Sequence, residues 1–154
     1  MPRNLPGYRR RVPRNVSFKA LNTIHRAVLR ITGNRLGWTA AHMPVLELTT
    51  TGRISGRPHS VLLTSPVQEG STIVVVASRG GSDTHPAWFL NLRDEPAVVV
   101  SLQGGPKRSV SARIATPQER VRLWPLVIAR HRQYADYQRR TKREIPLVLI
   151  EPMS

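Results

Sequence analysis

Two stretches of this sequence combine the residue types that can grip an anion. Thr49-Thr50-Thr51-Gly52-Arg53-Ile54-Ser55-Gly56-Arg57-Pro58 ends one apolar run and turns toward the next, joining glycines, hydroxyls and two arginines. Glycine permits close backbone approach, free amide groups can face a ligand, and Arg53 and Arg57 can supply charge-assisted bonds to phosphate or carboxylate. Ala77-Ser78-Arg79-Gly80-Gly81 repeats the idea after the most apolar run. There a hydroxyl, an arginine and a Gly-Gly turn could hold a diphosphate-like group or the polar edge of a planar ring. Neither is a P-loop, because no Gly-Lys-Ser/Thr stands at the required spacing. Each also reads as a solvated turn, and only a fold that brings both to one place makes them one site.

Four further side chains belong beside them. Trp88 and Asn91 lie three apart on a short helical pattern, where an indole face and an amide could border a flat heterocycle. Tyr134 and Tyr137 have the same spacing, with Arg132, Arg139 and Arg140 nearby. A phenol can stack on an aromatic acceptor while its hydroxyl donates a hydrogen bond or proton. Core packing explains Trp88 equally well, and packing is the plainer reading of both tyrosines. His25, His42, His59, His85 and His131 show no metal-ligand spacing, cysteine is absent, and no Gly-x-Ser-x-Gly elbow appears. The expectation is therefore no metal site, no thiol chemistry and no serine hydrolase.

The elements that must position these residues follow from periodicity. Short apolar runs at 45–51, 61–67, 72–78, 97–102, 109–115 and 146–151 read as strands, and their turn clusters are too short for parallel crossovers. Pro86 to Arg93 reads as a short helix between the third and fourth strands. Thr116-Pro117-Gln118-Glu119 combines an N-cap, a first-turn proline and the Glu of a capping box, so a helix starts at Pro117. Pro125 is expected to kink it, with a second short helix carrying the two tyrosines. The sum is an α+β fold: about six mainly antiparallel strands in a closed or half-closed barrel with peripheral helices.

Charge divides the chain. Of its 154 residues, 24 are Lys or Arg against 9 Asp or Glu, a formal charge of +15 that calls for an anionic partner. Residues 1–40 read as a unit of their own: a Pro- and Arg-rich arm, then an amphipathic basic helix over 16–31 ended by Gly33 and Gly37. Residues 41–154 form the barrel domain. No run is long and apolar enough for a membrane span or signal peptide, so the expected location is cytoplasmic. An anionic membrane surface is a candidate partner through residues 1–32. Nucleic acid is not expected, there being no recognisable helix-turn-helix.

Taken in order, Leu46-Glu47-Leu48-Thr49-Thr50-Thr51-Gly52-Arg53 with Ser55-Gly56, Val76-Ala77-Ser78-Arg79-Gly80-Gly81, Trp88-Phe89-Leu90-Asn91-Leu92 and Tyr134-Ala135-Asp136-Tyr137-Gln138 resemble the actinobacterial deazaflavin-dependent nitroreductase and quinone reductase family. The resemblance runs from about Val45 to Pro152. It implies a split β-barrel, coenzyme F-420 as hydride carrier, and a quinone, nitroaromatic or enone as acceptor. It places Arg53, Ile54, Ser55, Gly56, Arg57 and Pro58 at the coenzyme's phosphate and oligoglutamate tail. Ala77, Ser78, Arg79, Gly80 and Gly81 fall at the deazaflavin edge and phospholactate, with Trp88 and Asn91 adjoining. Tyr134 and Tyr137 fall in the acceptor pocket, and Ser78 or Tyr134 becomes the candidate for hydrogen bonding and proton supply. Three positions depart from the family pattern: Ile54 where a basic residue is common, Arg79 where lysine is common, and His131 where some nitroreducing members carry a tyrosine. Small split barrels often pair, so a homodimer is expected by analogy. Two other readings stay open, a non-catalytic coenzyme- or lipid-binding protein of this fold and a basic peripheral membrane protein.

Overall fold

The computed structural model describes residues 39, 40 and 42–153. The expected basic arm and amphipathic helix lie outside the described residues. Eight strands and three α-helices follow: β1 (Thr39–Ala40), β2 (Met43–Thr51), β3 (Pro58–Thr64), β4 (Val67–Glu69), β5 (Thr72–Val76), α1 (Ala87–Asp94), β6 (Ala97–Leu102), β7 (Arg108–Ile114), α2 (Pro117–Arg130), α3 (Gln133–Arg139) and β8 (Leu147–Pro152).

Every strand pairing is antiparallel. From β3 the pairings run β2, β6, β7, β8, β5 and β4, with β1 forming a hairpin on the start of β2. Since β3 and β4 are successive pieces of chain joined by Ser65 and Pro66, the two ends of the sheet meet and the sheet curls into a split ring. The single strand expected over 61–67 is thus two. Pro66 has no N–H to continue the ladder, and a bend there moves the chain from β2 to β5. Fully buried Ser65 secures the bend, its hydroxyl reaching the Val67 carbonyl at 2.9 Å and the Val74 carbonyl at 2.7 Å.

Side chains alternate across the ring wall. Leu46, Leu48, Ile73, Val75, Val98, Val100, Val110, Ala112, Val148 and Ile150 meet inside with Trp88, Phe89 and Leu92 of α1. Val74, Val76, Leu147 and Leu149 face outward and are covered by Leu123 and Val127 of α2 and Tyr134 of α3. β5 and β8 are therefore buried on both faces, which is why their sequences are continuous Val, Ile and Leu rather than alternating.

The start of α2 is the capping box expected: Thr116 accepts from the Glu119 N–H at 3.2 Å and Glu119 accepts from the Thr116 N–H at 2.8 Å. Pro125 does not end the helix, which continues to Arg130 before the chain breaks at His131. The acceptor that Pro125 leaves without a donor is the carbonyl of Val121, a residue 76% exposed, so water can satisfy it.

Strand polarity fixes where the site must be. β2, β5 and β7 run one way and β3, β4, β6 and β8 the other, so the turn 52–57, the loop 77–86 and the segment 140–146 all lie at one end of the barrel.

Candidate functional site

The first candidate anion-binding stretch is the turn between β2 and β3. Its base is tied by Gly52 N–H to the Arg57 carbonyl and Gly56 N–H to the Gly52 carbonyl, both at 2.8 Å. Gly56 has φ +68°, which glycine adopts without strain, and a Cβ on Gly52 would lie 2.6 Å from Ser55 Oγ and 2.7 Å from the His59 ring. Ser55 Oγ accepts from Arg57 N–H at 3.2 Å and meets His59 Nε2 at 3.1 Å. Ile54 stands 89% exposed at the tip, and Arg53, Arg57 and Pro58 are exposed beside it. No acceptor among the described residues meets the N–H groups of Ile54 and Ser55.

Asn91 holds this turn from behind. It is 5% exposed on α1. Its Oδ1 accepts from Arg53 N–H at 3.1 Å, and its Nδ2 donates to Thr50 Oγ1 at 3.1 Å. Both ends of the amide are thus engaged with the turn. Trp88, its neighbour on the helix, is 7% exposed and packs edge-on to Phe89 in the barrel interior.

The second stretch, after β5, forms a tight turn. Ala77 is fully buried, its N–H on the Pro146 carbonyl at 2.9 Å. Ser78 is right-handed (φ −78°, ψ −37°), Arg79 and Gly80 have φ +45° and +62°, and Gly81 N–H returns to the Ser78 carbonyl at 2.9 Å. A right-handed residue followed by left-handed ones turns successive N–H groups toward one side, a concavity that binds anions. Among the described residues the N–H groups of Ser78 and Gly80 and the Ser78 hydroxyl have no hydrogen-bond partner. Arg79 holds a left-handed backbone that costs a residue with a Cβ energy, a form of strain that concentrates at functional turns.

The structure brings the second turn against α3. A Cβ on Gly81 would lie 2.6 Å from the Tyr137 carbonyl, so only glycine permits this approach. Half-buried Tyr137 lies edge-on to Tyr134, ring centres 5.9 Å apart, with the Arg140 guanidinium 5.5 Å from its own ring centre. Tyr134 is set deeper. It is 6% exposed, its hydroxyl lies 3.3 Å from Thr64 Oγ1 and 3.7 Å from Met43 Sδ, and burial pushes its pKa up. His131 is edge-on to Tyr134 and held below the usual histidine range by burial and then by Arg130 and His42.

One organising residue has no signature in the sequence. Arg143, between α3 and β8, reaches back to the carbonyls of Ala77, Ser78 and Ser82 and to His85 Nδ1. Its partners are 58 to 66 residues away, and within the basic run 139–143 nothing local distinguishes it. His85, tilted over Phe89, is held below its ordinary pKa by burial, then by Arg143 and Arg93. Two clefts lie elsewhere on the described surface, about 690 Å³ between α2 and α3 and about 280 Å³ beside His85, Arg93 and Arg120. Neither is lined by residues 53–57 or 78–81.

The described residues thus form a split antiparallel β-barrel with arginine-bearing turns at one end. Over residues 21–152 the sequence matches the family described as F420H(2)-dependent quinone reductase, and the chain belongs to that family. It is 35% identical over 142 residues to the F420H(2)-dependent quinone reductase Rv1261c of Mycobacterium tuberculosis, covering 89% of this chain and 93% of that protein. A solved structure described as an F420-H2 dependent reductase (FDR-A) is similar at 35% identity and a TM-score of 0.61, over 70% of this chain and 94% of that one. Another, described as a domain-swapped dimer, is 30% identical with a TM-score of 0.65, over 86% and 99% of the two chains. The α+β split barrel and the reliance on reduced coenzyme F-420 expected from the resemblance are those of the family. The residues present fit such a coenzyme: unclaimed N–H groups at Ile54, Ser55, Ser78 and Gly80, with arginines beside them, match its phosphate and carboxylates.

Proposed function

We propose that the enzyme passes a hydride from reduced coenzyme F-420 to a quinone at the rim formed by residues 53–58 and 77–81. The observation that carries the reading is the pair of turns with unclaimed N–H groups at the same end of the barrel, in a chain of this family. Bound there, the coenzyme supplies the hydride. The chain supplies position. Arg53, Arg57 and the N–H groups of Ile54 and Ser55 take the anionic tail, with Gly56 and Pro58 shaping the turn. Ser78, Arg79 and Gly80 take the phosphate nearer the ring, Ala77 and Gly81 setting that turn's depth. Trp88 and Asn91 act from behind, as barrel plug and turn anchor. Ser78 Oγ and the half-buried Tyr137 are placed to hydrogen-bond the acceptor or hold a proton for it, and Tyr134 supports Tyr137 through ring packing. Holding donor and acceptor in register is where most of the rate comes from.

Nitroaromatics and enones are electron-poor acceptors of the same kind, and nitroaromatics are the less favoured because His131 stands where the resemblance implies that some nitroreducing members carry a tyrosine. A lipid-soluble quinone would be reached best from a membrane surface, a role proposed for residues 1–32. Vesicle flotation of the full chain and of a chain lacking those residues tests it; equal partitioning rejects the segment as anchor. For the reaction itself, purified protein is mixed with the reduced coenzyme and menadione. Coenzyme oxidation well above background supports the proposal. Tight coenzyme binding without turnover on any quinone, nitroarene or enone would instead make the protein a carrier.

A further inference from the structure

We propose that Arg143 is a positioning residue that sets the anion-gripping shape of the 78–80 turn, an inference that rests on the coenzyme-binding reading above. The guanidinium gathers the carbonyls of one side of the turn. Nε donates to the Ser82 carbonyl at 2.7 Å, and Nη2 to those of Ser78 at 2.9 Å and Ala77 at 3.3 Å. Nη1 donates to the Ala77 carbonyl at 3.3 Å and lies 3.2 Å from His85 Nδ1. Arg140 adds a longer contact, 3.4 Å, to the Gly80 carbonyl.

The consequence follows from peptide geometry. In a planar trans peptide the N–H points opposite to the carbonyl it shares a plane with. With the Ala77 carbonyl fixed on the guanidinium, the N–H of Ser78 must face away from it, into the concavity. The N–H of Gly80 shares its peptide with the Arg79 carbonyl, which the Ser82 N–H holds at 3.1 Å while Arg143 fixes Ser82 by its own carbonyl. The same contacts place a positive charge behind the turn, next to the negative ends of its peptide dipoles. Lysine could keep that charge but not the shape, because three donors radiating from one nitrogen cannot span carbonyls as far apart as those of Ala77 and Ser82, whereas the planar fork can. Arg143 touches neither coenzyme nor acceptor in this arrangement; it acts through the turn.

Arg143→Lys separates shape from charge, and Arg122→Lys, on the far surface where Arg122 pairs with Glu69, serves as control. Two readouts are taken: coenzyme affinity by fluorescence titration, and backbone amide NMR shifts of the protein without coenzyme. In Arg143→Lys the amide shifts should change at residues 77–85 and stay put in the strands. Coenzyme affinity should fall by about 10–100-fold, the loss typical when a group that orients a direct ligand is removed. The KM for coenzyme should rise while that for quinone is unchanged, whereas a general loss of folding lowers only the apparent kcat and leaves both KM values as they were. An Arg143→Lys protein that binds coenzyme as the parent does overturns the proposal. Should the variant fail to fold, the parent decides: the Ser78 and Gly80 amides and the Arg143 Nε–H must shift along one saturation curve as coenzyme is added, and their failure to do so overturns it equally. A parent that binds no coenzyme refutes the coenzyme reading instead. The coenzyme-free amide shifts of Arg143→Lys then still judge Arg143, unmoved turn amides counting against it.

Discussion

Gly81 shows how one atom can decide whether the site exists. Its φ is +83° and an added Cβ would sit 2.6 Å from the Tyr137 carbonyl, so Gly81→Ala must push α3 away from the turn. The expected cost is about 1–3 kcal/mol of stability, read by urea unfolding, with weaker coenzyme binding in the folded fraction. The two tyrosines should separate in the same spirit. Tyr134→Phe leaves the hydroxyl of Thr64 without its partner and should lower stability by about 1 kcal/mol with little effect on turnover. Tyr137→Phe should do the reverse, with turnover down about tenfold and the melting temperature held. At this scale residue types and spacings in the sequence singled out the two turns, Trp88, Asn91 and the tyrosine pair. They did not distinguish a side chain at the rim from one behind it. Asn91 spends both ends of its amide on Arg53 and Thr50, Tyr134 is sunk against Met43 and Thr64, and Arg143 was invisible; each depends on partners 38 to 91 residues away. Type and spacing do not carry that information.

Among the elements, α2 is bolted to the sheet by charge. Arg113 of β7 donates to both carboxylate oxygens of Glu119, each at 2.8 Å, and to both of Glu151 of β8, each at 3.0 Å. Hydrogen bonds from Arg113 and then from the Thr116 N–H hold the Glu119 pKa down, from 4.5 to about 2. A carboxylate with a depressed folded pKa stabilises fully above its unfolded value and loses that contribution as pH falls through the folded one. The protein should therefore lose stability between about pH 4.5 and pH 2, and Glu119→Gln should flatten that part of the profile in pH-dependent denaturation. Thr116→Ala, which removes the cap, should cost about 1 kcal/mol at neutral pH. The capping box was legible because its parts are local. How far the helix runs past Pro125 was not, since that depends on whether the Val121 carbonyl faces water, a property of the packed helix. The split of one apolar run into β3 and β4 was half legible: Pro66 marked it, but its meaning, closure of the ring, depends on which strands lie on either side.

For the whole molecule, antiparallel topology does the decisive work by sending both turns to the same end, and the chain's formal charge of +15 suits the polyanionic ligand proposed for them. Attraction of that kind is screened over about 10 Å at 0.1 M salt, so coenzyme affinity should fall steadily with added potassium chloride, while affinity for an uncharged quinone should hold. The barrel could be inferred from short apolar runs and short turns. That both turns lie at one end could not, because it needs the strand order. The most direct test is an NMR titration of the full chain with coenzyme F-420, following the amides of Ile54, Ser55, Ser78 and Gly80. All four are expected to shift together and saturate at one coenzyme per chain. Shifts confined to one turn, or centred on the cleft between α2 and α3, would contradict it.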